Sequence, residues 1–106
     1  MLHPTEFAGF DWDEGNRAKC GKHGLSISQI EEVFESPLAI LPDAGHSEHE
    51  RRFRAVGRAV SGRAVFVVFT LRQRDGSLFI RPISARYMHR KEVAAYEKEN
   101  PNLRDG

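Results

Sequence analysis

Arg81, Ser84 and Arg86 close a stretch that begins apolar, Leu78-Phe79-Ile80, and ends at Tyr87. A core strand has no packing reason to carry two arginines, because burying an unpaired guanidinium is costly. Held at a sheet edge they suit an anion, since the planar guanidinium fork donates two parallel hydrogen bonds to a phosphate. Ordinary solvated arginines are the alternative. Lys22-His23-Gly24 falls where a helix should end, and a helix C-terminus favours positive charge. Histidine exchanges protons near neutrality, although His23 also reads as a simple helix-end cap. Metal-free RNA cleavage needs a base near the 2′-hydroxyl, an acid near the leaving oxygen and cations for the pentavalent phosphate. Lys22 and His23 are candidates for the first two. Arg52, Arg58, Arg81 and Arg86 are candidates for the third. Ser84 either binds phosphate or hydrogen-bonds the backbone.

Other chemistries find less support. His46-x-x-His49 with Glu48 and Glu50 offers a pair of ligands where a metal site needs three or four that converge. Phosphate cradles of the Walker or dinucleotide type are absent, as is a Gly-x-Ser-x-Gly elbow. No metal and no cofactor are expected.

The charge is segregated. Residues 51–91 hold ten arginines and Lys91 against one acid, Asp75, a net of +10; the rest hold 5 basic and 14 acidic groups, a net of −9. Arginine on one face points to phosphate or nucleic acid; pairing between the acidic flanks and the basic strands is the competing explanation. The 106 residues suit one small domain with loose tails at 1–6 and 102–106. One cysteine, Cys20, excludes an internal disulfide, and an inward-packed thiol is expected there. No apolar run approaches the roughly 20 residues of a membrane span. The Met1-to-Glu6 segment does not read as a signal peptide. The expectation is a cytoplasmic protein with no membrane partner.

These groups need elements to hold them. Phe7 to Trp12 reads as a short strand. Asp13 caps a polar helix that ends near Lys22 or His23, with Gly24 as its stop. Ser26 or Ser28 caps a second helix; Ser28 with Glu31 fits a capping box, and Ile27, Ile30, Val33 and Phe34 form its buried stripe. Leu38 to Leu41 is a short extended segment. Arg51 to Arg58 alternates, with Phe53, Ala55 and Gly57 on one face and Arg52, Arg54, Val56 and Arg58 on the other. Arg63 to Leu71 is apolar on both faces, as in a covered sheet. Asp75-Gly76 marks a turn inside a slightly long polar loop. Pro82 cannot donate to a ladder, so it needs an edge or a bulge. Met88 to about Glu99 is a closing helix with Val93 and Tyr96 inward. The fold expected is α+β, an antiparallel three-strand meander with the helices on one sheet face.

Four motifs in order resemble a known family. Phe10-Asp11-Trp12-Asp13, Lys22-His23-Gly24-Leu25-Ser26, Arg52-Phe53-Arg54-Ala55-Val56-Gly57-Arg58, and Ile83-Ser84-Ala85-Arg86 followed by Arg90-Lys91-Glu92 and Tyr96 resemble BrnT-type toxins of bacterial type II toxin–antitoxin systems. The resemblance spans about residues 7–96. It implies a small RelE-like domain and metal-independent RNA cleavage that blocks translation and growth. It also implies a BrnA-type antitoxin, with operator DNA contacted only through that antitoxin. By motif it points to Lys22, His23, Arg52, Ser84 and Arg86 as the active surface. Arg52 and Arg86 would hold the phosphate and Lys22 or His23 would assist proton transfer, with Arg54, Arg58, Arg63 and Arg81 as further RNA contacts. Pro82 stands where the family usually has an aliphatic residue, and Arg51 replaces a common acid. The alternative is a non-catalytic module that binds RNA or a protein through the basic face.

Overall fold

The computed structural model describes residues 7–35, 39–42 and 51–99. In chain order the elements are β1 (Gly9–Phe10), α1 (Glu14–Gly21), α2 (Ile27–Val33), β2 (Ala39–Pro42), β3 (Arg52–Arg58), β4 (Ala64–Arg74), β5 (Ser77–Tyr87) and α3 (Arg90–Glu99). The strands form one five-stranded sheet in the order β1-β5-β4-β3-β2. β2 through β5 pair antiparallel with their neighbours, whereas β1 joins β5 in parallel. The sheet is therefore mixed and not the purely antiparallel meander expected. Two residues of β1 are too few to carry a pattern that reveals a strand's direction.

Local chemistry explains where the helices begin and stop. Asp13 Oδ1 accepts from Asn16 N–H at 3.0 Å, and Asn16 Oδ1 accepts from Asp13 N–H at 2.7 Å. Each group satisfies a donor that a helix start leaves orphaned. Gly24, at φ +88°, ends this turn in the left-handed region, where glycine carries no Cβ penalty. The second box is Ser26 with Gln29, at 2.8 and 3.1 Å, and not Ser28 with Glu31. Glu31 instead accepts from Trp12 Nε1 at 3.0 Å, tying the start of α1 to α2. Asp75 and Gly76 both have positive φ and form a tight two-residue turn. β4 and β5 thus run to Arg74 and from Ser77, without the longer loop expected.

The main core lies between the sheet and the α1–α2 layer. Cys20, Leu25, Ile30, Val33 and Phe34 meet Ala55, Val65, Val67, Phe69, Ile80 and Ala85 there. Phe34 packs edge-on to both Phe10 and Phe69, with centroids 5.6 and 5.2 Å apart, and Phe53 stacks on Phe69 at 5.4 Å. Those separations are in the favourable range for aromatic pairs. Alternation sends Val56, Ala64 and Phe66 to the opposite face, where they pack with Met88, Val93 and Tyr96. α3 therefore covers the other face of the sheet. The helices lie on both faces and not on one, because only Met88 and His89 separate the end of β5 from the last helix, which folds back over the nearer free surface.

Candidate phosphate-binding face

A bulge decides which β5 side chains point where. Ile80 and Ala85 both belong to the main core, yet they are an odd number of residues apart. A regular strand would send them to opposite faces. Between the pairs Val68↔Ser84 and Phe69↔Pro82 the register slips by one residue on β5. The extra residue restores both to the core, and it absorbs the missing N–H of Pro82. Beyond the bulge, Ser84 and Arg86 alternate with core-facing Ala85 and so lie on the far face.

The same face receives the β3 arginines. Arg54, Val68 and Ser84 form one cross-strand row, and Val56, Phe66 and Arg86 form the next. Arg52 pairs with Thr70 and Arg58 with Ala64. The structure thus brings Arg52, Arg54, Arg58, Ser84 and Arg86 onto one surface, with Arg52 and Arg54 at the end away from α3. Arg54 Nε is buried without a hydrogen-bond partner among the described residues. An unmade bond of that kind leaves a donor's desolvation uncompensated.

Arg86, Arg58, Arg81, Arg74 and Arg63 are engaged. Arg86 donates from both terminal nitrogens to the two carboxylate oxygens of Glu92, each at 2.8 Å, and its guanidinium lies 4.9 Å from the Phe66 ring centre. Glu92 also accepts from His89 N–H at 2.9 Å. The Arg86 hydrogen bonds, helped by that N–H, hold the Glu92 carboxyl down at about 2. The same contact raises Arg86. Arg58 is bound by Glu97 at 2.6 Å and by the Gly62 carbonyl at 2.7 Å. Arg81 reaches Asp13 at 2.8 Å and buried Asp11 at 3.6 Å, and Arg74 also binds Asp11. Asp13 is lowered first by the Asn16 N–H and then by Arg81. Arg63 lies 3.5 Å from the Tyr87 ring centre, a stacked cation on an exposed turn.

Lys22 and His23 are not brought to this cluster. Lys22 caps α1 and His23 follows it, both exposed, and α1 belongs to the layer on the opposite side of the sheet. His46 and His49 lie outside the described residues. Cys20 is buried, and burial pushes its thiol up to about 11. In the sequence, Asp11 and Glu92 figure only as members of the family motifs, without a role, and nothing singles out Glu97; pairing with arginines is what makes the three distinctive.

Residues 12–92 match the family model described as the ribonuclease toxin, BrnT, of type II toxin–antitoxin systems. No curated protein matches the chain.

Proposed function

This chain belongs to the BrnT ribonuclease toxins of type II toxin–antitoxin systems, and we propose that it cleaves RNA without a metal, on the sheet face that carries Arg52, Arg54, Ser84 and Arg86. The carrying observation is Arg54. A guanidinium nitrogen buried without a hydrogen-bond partner among the described residues, beside Arg52 and Ser84 on one face, is a desolvated donor that gains a bond if the side chain turns outward to an anion. In the proposed reaction the RNA 2′-oxygen bonds to the adjacent phosphorus and the 5′-oxygen leaves. The 2′-proton goes to a base and an acid protonates the leaving oxygen, giving a 2′,3′-cyclic phosphate. Arg52, Arg54 and Arg86 stabilise the charge that grows on the non-bridging oxygens, where fixed donors contribute most. Ser84 adds a neutral donor.

Lys22 and His23, which the family motif offers as proton-transfer groups, lie on the opposite side of the sheet, beyond hydrogen-bond reach of a phosphate held by these arginines; they are proposed only as further RNA contacts, and the base and acid are left unassigned. Arg58, Arg63 and Arg81 are proposed as outer RNA contacts. We further propose a single RelE-like toxin domain over 1–106, which halts translation and growth and is neutralised in the cytoplasm by a BrnA-type antitoxin that alone contacts operator DNA. A family of type II toxins implies a protein antitoxin; charge on the arginine face supports that surface as the one covered.

The test is cleavage of single-stranded RNA by purified protein in excess EDTA. Wild type should cut, and Arg52→Ala and Arg86→Ala should lose at least about tenfold in rate, as expected when a donor to transition-state charge is removed. Full activity in both folded variants refutes the site. The separation of Lys22 and His23 from the arginines favours a second reading, a non-catalytic RNA-binding module, which predicts salt-sensitive binding and no cleavage at any protein concentration.

A further inference from the structure

Helix α3 carries carboxylates onto the arginine face. Glu92 takes both terminal nitrogens of Arg86 at 2.8 Å, and Glu97 takes Arg58 at 2.6 Å. Both arginines share the sheet face of Arg52 and Arg54. A carboxylate and a phosphodiester present the same pair of acceptor oxygens to a guanidinium fork. Among the described residues, α3 otherwise packs through apolar side chains. None of its residues is fully buried, and Val93 and Tyr96 supply its apolar contact with the cluster around Val56 and Met88. An open groove of about 480 Å³ runs beside it, lined by Arg63, Met88, Arg90 and Glu97 among others.

We propose that α3 is an internal carboxylate clasp, in which Glu92 and Glu97 occupy Arg86 and Arg58 in place of RNA phosphates and are displaced when RNA binds. This rests on the reading of the face as the RNA surface. Among the described residues of this face, Arg52 and Arg54 are then the arginines that the α3 carboxylates leave for first encounter. Arg86 and Arg58 join once phosphates replace the carboxylates, so a strand long enough to span both halves of the face is held better than a short one. Proton uptake does not open the clasp near neutrality, because Glu92 stays ionised far below it. A competing anion is required.

The probe is a single-stranded RNA oligonucleotide fully 2′-O-methylated, which lacks the attacking hydroxyl and cannot be cut by this route. Its binding to the full chain is followed by fluorescence anisotropy over a range of salt. Glu92→Gln with Glu97→Gln keeps the shape, and the amide oxygen introduced by Glu92→Gln can still accept from His89 N–H, while both charges go. This double variant should bind about five- to tenfold tighter at low salt, as expected for releasing two partly exposed ion pairs. Its log–log salt slope should steepen by up to about 1.4, the value for two more neutralised phosphates. Unchanged or weaker binding by the folded double variant, with binding still weakened by Arg52→Ala, overturns the clasp and leaves the RNA face intact. Binding that Arg52→Ala and Arg54→Ala do not weaken overturns the face, and the clasp with it. Should the double variant not fold, hydrogen exchange on wild type decides. Faster exchange of α3 amides on adding the probe supports displacement, and equal or slower exchange overturns it.

Discussion

Replacing Asn16 by alanine should destabilise the fold far more than a polar helix residue normally does. Asn16 is 4% exposed. Its side-chain nitrogen donates to the Asp11 and Pro82 carbonyls, both at 2.9 Å, and its oxygen accepts from Asp13 N–H at 2.7 Å. Three bonds therefore converge on one side chain, and they pin the start of α1 to the bulged part of β5. A typical hydrogen bond contributes about 1 kcal/mol net, and a buried group left unpaired costs about 1–3 kcal/mol. Alanine's better helix propensity returns at most about 0.7 kcal/mol, and the Asp13 side chain still caps the helix through the residue-16 N–H. The expected loss is about 2–4 kcal/mol. For a domain of this size that corresponds to a fall in Tm of roughly 10–25 °C. Urea unfolding followed by the fluorescence of Trp12, the only tryptophan, measures it directly. Asn16→Asp should be at least as damaging, because a carboxylate would face two carbonyl oxygens. A loss below about 0.5 kcal/mol for Asn16→Ala would refute the idea that these bonds hold α1 to the sheet.

Two further outcomes follow from single groups. The Glu92 carboxyl sits at about 2 against an ordinary 4.5, so its folded form binds the proton less readily than its unfolded form. The stability it contributes is whole above pH 4.5 and disappears as pH falls toward 2. Urea midpoints of wild type and Glu92→Gln should therefore differ at pH 6 and converge near pH 2; a gap that stays constant would show that the ion pair is not its source. Cys20, 1% exposed with its thiol raised to about 11, should resist iodoacetamide at pH 8 in the native protein and react fully in urea. Mass spectrometry showing native modification at the unfolded rate would contradict its burial.

Sequence alone determined the features that depend on neighbours along the chain. The Asp13 cap, the Gly24 stop and the Asp75-Gly76 turn are local chemistry, and the stripe of Ile30, Val33 and Phe34 follows from helical period. Alternation along Arg52–Arg58 put three arginines on one face, and the register bears that out. The four motifs carried the family, which the match over residues 12–92 shows. Tertiary structure decided what depends on partners far apart in sequence. A one-residue bulge inverts the facing of everything beyond it, and Pro82 announces a bulge without giving its position. β1 is two residues long, so its parallel pairing shows only when it meets β5. Whether an arginine is open or paired is a matter of which acid lands beside it. Arg52, Arg54 and Arg86 look alike in sequence, yet only Arg86 meets the carboxylates of α3, because the chain turns after Tyr87 and lays that helix over one half of the face.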